Sequence, residues 1–184
     1  MTEAKFKIDE IDRSIITLLQ ENPHLTHMEI AKKVDRSQPT IGMRINKLEE
    51  RGLLAVKRGV NFKQVSDLYL ASVTLKTKDP EEIFLMAKEC PFIINCFKLS
   101  GENNINLLLT SSSLDKLDTM VNFHFRRNSN ISNIVIEIVV DMAKDFILPV
   151  DFRIQDQNPT EEEGCGEKCV RRIKGILETQ SKKA

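Results

Sequence analysis

Between residues 32 and 58 the chain carries eight basic side chains (Lys32, Lys33, Arg36, Arg44, Lys47, Arg51, Lys57 and Arg58) against three acids, Asp35, Glu49 and Glu50. The formal net charge of the whole chain is zero, and residues 1–31 carry six acids against three bases, so the surplus is local. Two readings are open: a basic face that neutralises nucleic-acid phosphates, or a solvated helix face laced with ion pairs. The local field decides phosphate binding, because screening at physiological salt limits the reach of a charge to about 8 Å. Within this stretch Gln38, Thr40, Met43, Arg44 and Lys47 stand beside an apolar row of Ile41, Ile45 and Leu48 at helical spacing. Small polar groups near the start of such a helix, Ser37, Gln38 and Thr40, can approach base edges. Arg44 can reach a base or a phosphate, and Lys47, Lys57 and Arg58 suit the backbone.

A second constellation is Cys165-Gly-Glu-Lys-Cys169. A four-residue offset puts both thiols on one face of a helix, where they can share a zinc ion or form a disulfide pair. Arg171, Arg172 and Lys174 follow closely and favour the thiolate. Cys90 and Cys96 either add two ligands to a four-cysteine site or are buried, inert thiols, one at a helix end and one in an apolar strand. His24 and His27 flank a turn and a helix start and read as surface residues. His124, between Phe123 and Phe125, reads as a core or interface residue. No glycine-rich phosphate loop and no Ser-His-Asp or Cys-His spacing stands out, so nothing positive points to an enzyme.

The elements that position these groups are marked by caps and periodicity. Residues 8–21 read as a helix with Asp9 as N-cap, Asp12 in its first turn, and Ile11, Ile15, Leu18 and Leu19 on one face. Thr26 and Glu29 form a capping box for a second helix ending near Val34. After a short turn at Asp35-Arg36, Ser37 caps a third helix, with Pro39 in its first turn and Gly52 placed as the left-handed residue after its end. Three short helices with a tight turn between the second and third describe a helix-turn-helix. Gly42 suggests close packing of the third helix on the second, and residues 53–56 and 60–62 suggest a small hairpin or wing.

From about Tyr69 the rhythm changes. Strands are expected at 70–77, 92–99, 105–110 and 131–140, and helices at 79–89 and 113–125, in the order β-α-β-β-α-β of a ferredoxin-like fold. The expected class is therefore α+β: a (winged) helix-turn-helix domain at 1–60, a linker at 61–68, a ferredoxin-like domain at 69–152, and a polar extension at 153–184 carrying Cys165 and Cys169.

The sequence resembles the Lrp/AsnC, or leucine-responsive, family of transcriptional regulators over roughly residues 8–152. Its specific part is Ile8-Asp9-Glu10-Ile11-Asp12, Ile30-Ala31-Lys32-Lys33-Val34, and Ser37-x-x-Thr40-Ile41-x-x-Arg44-Ile45-x-Lys47-Leu48-Glu49-Glu50-x-Gly52. The resemblance implies double-stranded DNA as partner and self-association, as a homodimer or up to an octamer, through ferredoxin-like (RAM) domains. It also implies an amino-acid effector bound near the turn Ser100-Gly101-Glu102-Asn103-Asn104. Family members commonly have aspartate where this chain has Asn104. A neutral amide cannot pair with an α-ammonium group as a carboxylate can, which leaves Glu102 as the carboxylate of the turn. Two signals stay open: a small effector at this turn with no required cofactor, and zinc or disulfide chemistry at Cys165/Cys169. No apolar run reaches the roughly 18 residues of a membrane span. Residues 1–7 lack a signal peptide's apolar segment, and four cysteines are too few for a secreted disulfide scaffold of this length. A cytoplasmic protein is expected.

Overall fold

Helix starts in this chain are fixed by side chains that satisfy the free amides of a first turn. In the computed structural model, which describes residues 7–152, α1 (Glu10–Glu21) begins with a reciprocal capping box: the Asp12 amide donates to Asp9 Oδ1 at 2.8 Å, and the Asp9 amide donates to Asp12 Oδ2 at 3.3 Å. α2 (His27–Val34) repeats the device with Thr26 and Glu29. α3 (Gln38–Glu50) is capped by Ser37, with Pro39 in its first turn, and Gly52 follows it with φ of +65°. Between α2 and α3, Asp35 takes the left-handed conformation (φ 52°, ψ 57°), and the Arg36 amide donates to Ala31 O at 3.0 Å. That is how the chain reverses within three residues. The apolar faces meet in one core of Ile15, Ile30, Ala31, Ile41 and Ile45, flanked by Ile11, Leu18, Leu19, Leu25, Val34 and Leu54. A Cβ on Gly42 would lie 3.3 Å from the His27 ring on α2, so the close approach expected there is present.

The chain divides into two compact units, one through Lys57 and one from Arg58. The expected hairpin between 53–56 and 60–62 does not form. The strand β1 (Val60–Asn61) pairs antiparallel with β6 (Ile147–Leu148) of its own unit, and residues 53–56 are in no strand. Residues 61–68 are more than a connection, because Phe62 and Leu68 are buried with Leu70 in a small cluster of their own.

The second unit is built on β2 (Tyr69–Thr77), β3 (Ile93–Lys98), β4 (Ile105–Ser111) and β5 (Ile131–Ile138), with α4 (Pro80–Glu89) and α5 (Leu114–Val121) in the crossovers. All neighbours in the four-stranded sheet are antiparallel, in the order β3-β4-β2-β5. That is the ferredoxin-like arrangement. Alternation does the sorting. Ala71, Val73, Leu75, Ile105, Leu107 and Leu109 are buried in one core with Ile83, Leu117, Met120 and Phe125. Their strand neighbours Ser72, Thr74, Asn106 and Leu108 belong to the opposite face and stay half-exposed. α5 runs on into a π-helical turn (Asn122–Arg126), which buries His124 and Phe125.

Candidate nucleic-acid interface and the glycine turn

The third helix buries Ile41, Ile45 and Leu48. The opposite side of a helix lies about 180° round, so Met43, Asn46 and Lys47 should point outward. All three are exposed, as is Gln38 at the helix start, and Met43 retains 67% of its surface. Ser37 and Thr40 are tied to the helix start: the Thr40 amide donates to Ser37 Oγ at 3.4 Å, and the two hydroxyls lie 2.7 Å apart. Lys57 and Arg58 are exposed, the first closing the N-terminal unit and the second opening the next.

Arg44, expected at DNA, is engaged by acids of its own unit. It lies three residues after Ile41 and four before Leu48, beside the buried stripe rather than across from it. Its Nη1 donates to Asp9 Oδ2 and to Asp12 Oδ1, at 2.7 Å each. Asp12 keeps only 7% of its side-chain surface and Asp9 52%. The amide of Asp12, then the guanidinium of Arg44, hold the Asp9 carboxyl below its ordinary value of 3.8, and the two carboxylates raise Arg44 in turn. In the capping box of α2 the Thr26 amide lowers Glu29 in the same way. Asn46 is the outward-facing group that sequence reasoning missed. It lies about 60° round from Met43, on the side of α3 away from Ile41, and its amide matches the donor–acceptor edge of adenine.

The five residues at 100–104 do form the turn between β3 and β4, with the Leu99 amide donating to Asn104 O at 2.9 Å. The Asn104 side chain is already engaged. Its Oδ1 accepts from the Thr77 amide at 2.9 Å and its Nδ2 donates to Thr77 O at 2.8 Å, so the amide pairs with the end of β2 as another peptide group would. Asn103 Oδ1 accepts from Asn133, which has φ of 53°. Glu102 is 80% exposed and lies 3.5 Å from Lys76 Nζ. Ser100 and Gly101 are exposed, and a Cβ on Gly101 would meet nothing closer than Asn103 O at 3.7 Å.

Cys90 and Cys96 are in no disulfide, each is 8% exposed, and both belong to the main core of the second unit. Burial pushes the Cys96 thiol up to about 11, against a small opposing effect of Lys98. Both thiols are packed among the apolar side chains of that core. No group of three or more His, Cys, Asp or Glu side chains able to hold a metal occurs among the described residues, and Cys165 and Cys169 lie outside them. No helix among the described residues is long and apolar enough to cross a membrane.

A winged helix-turn-helix DNA-binding family matches residues 8–55. An HTH-type transcriptional regulator of Pyrococcus abyssi is 32% identical over 121 residues, covering 66% of this chain and 72% of its own. The chain belongs to the Lrp/AsnC family of transcriptional regulators. The HTH-type regulator LrpA of Pyrococcus horikoshii is 24% identical over 141 residues, covering 74% of this chain and 99% of its own. Among solved structures, AsnC of E. coli superposes with a TM-score of 0.63 at 20% identity, over 76% of this chain and 96% of that one. The regulator NMB0573 of Neisseria meningitidis, solved in complex with L-Met, superposes with a TM-score of 0.62 at 20% identity, over 80% of this chain and 99% of that one. Like other Lrp/AsnC members, this chain is a DNA-binding transcriptional regulator with a helix-turn-helix ahead of an α+β domain.

Proposed function

We propose that α3 enters the major groove of double-stranded DNA, with Gln38 and Asn46 at base edges, Met43 against an apolar base surface, and Ser37, Thr40, Lys47, Lys57 and Arg58 toward the backbone. The carrying observation is the exposure along α3: Gln38 at its Ser37-capped start, and Met43, Asn46 and Lys47 on the side away from the buried Ile41, Ile45 and Leu48. A single helix reads only a few base pairs, so the protein binds as a homodimer on a two-fold site and assembles further. The half-exposed sheet face of Ser72, Thr74, Asn106 and Leu108, extended by the exposed Val135 and Glu137, supports self-association. The signal is an amino acid or related small molecule at residues 100–104. The L-Met complex of the Neisseria regulator supports that class of effector. With Asn104 committed to Thr77, Glu102 is the group left to meet an ammonium.

The test begins with duplexes selected from genomic DNA and titrated by fluorescence anisotropy. Gln38→Ala and Asn46→Ala are expected to weaken selected duplexes by about 5–150-fold and scrambled ones little, the cost of about 1–3 kcal/mol for a lost base contact. Lys57→Ala should weaken both alike and lower the slope of log K against log salt by about one. If the wild type binds selected and scrambled duplexes equally, or all three variants behave as wild type, the assignment is wrong. If no amino acid raises the melting temperature or changes DNA affinity at millimolar concentration, the effector reading fails.

A further inference from the structure

We infer that Arg44 is a positioning residue, which joins the start of α1 to the middle of the recognition helix and makes no DNA contact of its own. The inference rests on α3 reading DNA. One guanidinium nitrogen is shared by two carboxylates that lie 35 and 32 residues away in the sequence. Those same carboxylates form the capping box of α1, so one cluster both starts α1 and clamps α3 against it. With one cation against two carboxylates, the cluster carries a net charge of about −1, which repels a phosphate. Moving Arg44 to DNA would leave Asp12, at 7% side-chain exposure, without its cation. A buried carboxylate stripped of its partner is costly. A phosphate contact at a wet interface returns less, and the geometry therefore keeps Arg44 with the aspartates. What the clamp sets is the angle at which Gln38, Met43, Asn46 and Lys47 are presented. Its loss should fall on sequence discrimination rather than on general attraction to DNA.

The experiment compares wild type, Arg44→Ala, Asp9→Asn and the double variant on a selected and a scrambled duplex across a salt series, at a temperature where melting curves show each protein folded. Asp9 is half-exposed, so Asp9→Asn keeps the test open if Arg44→Ala does not fold. Arg44→Ala and Asp9→Asn are both expected to weaken the selected duplex, by about 5–50-fold and by a smaller factor respectively. The salt slope should be unchanged, scrambled-duplex affinity within about 2-fold, and the double variant no weaker than Arg44→Ala. A salt slope lowered by about one in Arg44→Ala would mean a phosphate contact and overturns the inference. So does tighter binding by Asp9→Asn, which would mean that the acids only hold a DNA-contacting arginine back. A wild type that does not distinguish the two duplexes overturns the DNA reading itself, and this inference with it.

Discussion

Replacing Asn104 by aspartate changes one NH2 group to oxygen, and the structure sets what that costs. In the wild type Nδ2 donates to Thr77 O at 2.8 Å and Oδ1 accepts from the Thr77 amide at 2.9 Å, with Thr77 5% exposed. In Asn104→Asp the amide bond survives and strengthens by about 1 kcal/mol, because its acceptor is now charged. The other bond, about 1 kcal/mol net, is lost, and the buried Thr77 carbonyl is left facing an anionic oxygen, a further cost of about 2 kcal/mol. The balance is a destabilisation of about 2 kcal/mol, or about 8–16 °C in melting temperature for a unit of this size. The protonated acid can donate to Thr77 O, so the cost belongs to the ionised form alone. The introduced carboxyl therefore has a folded pKa raised from about 3.9 to about 5.4, at about 1.4 kcal/mol per unit. Its stability contribution is fully present below about pH 3.9 and is lost as pH rises through about 5.4. Calorimetry of both proteins from pH 4 to pH 8 should show a gap that opens with rising pH, while Asn104→Ala gives a gap independent of pH. Equal melting of Asn104→Asp and wild type at pH 7, or a gap unchanged at pH 4, would refute the reasoning.

Two further outcomes follow from backbone crowding and from thiol burial. A Cβ on Gly59 would lie 2.5 Å from the Leu148 carbonyl oxygen, so Gly59→Ala should push β1 from β6 at a cost of about 1–3 kcal/mol. Exchange of the Phe62 amide, which donates to Phe146 O at 2.9 Å, is then expected to quicken about 10-fold or more. With its thiol pushed up to about 11, Cys96 should resist iodoacetamide at pH 8 in the folded protein and react once unfolded in urea. Rapid labelling of folded Cys96 would contradict its burial.

What could be read from the sequence was local. Asp9, Thr26, Ser37, Asp79 and Ser113 each announce a helix within three residues of themselves, and each does cap one. The strand order of the second unit followed from where those caps interrupt the alternating runs. What could not be read depends on partners far along the chain. β1 is two residues long and pairs with a strand whose partner residues lie more than 80 positions away, with no periodicity to reveal it. The Asn104 amide meets Thr77, 27 residues back. In isolation its type suggested only a turn residue that had lost a charge.

Arg44 carries the same lesson into electrostatics. Counted along the sequence, residues 32–58 hold a surplus of basic groups and residues 1–31 a surplus of acids, as if one segment attracted phosphate and the other were irrelevant to it. In three dimensions Asp9 and Asp12 stand against Arg44, so the strongest hydrogen-bonding cation of α3 is answered inside the fold. On the proposed reading of α3, phosphate attraction is assigned to Lys47, a compact point charge, and discrimination to the uncharged Gln38 and Asn46, whose amides are suited to base edges. Substitutions at Lys47 should consequently move the salt dependence, and substitutions at Gln38 or Asn46 the choice of sequence.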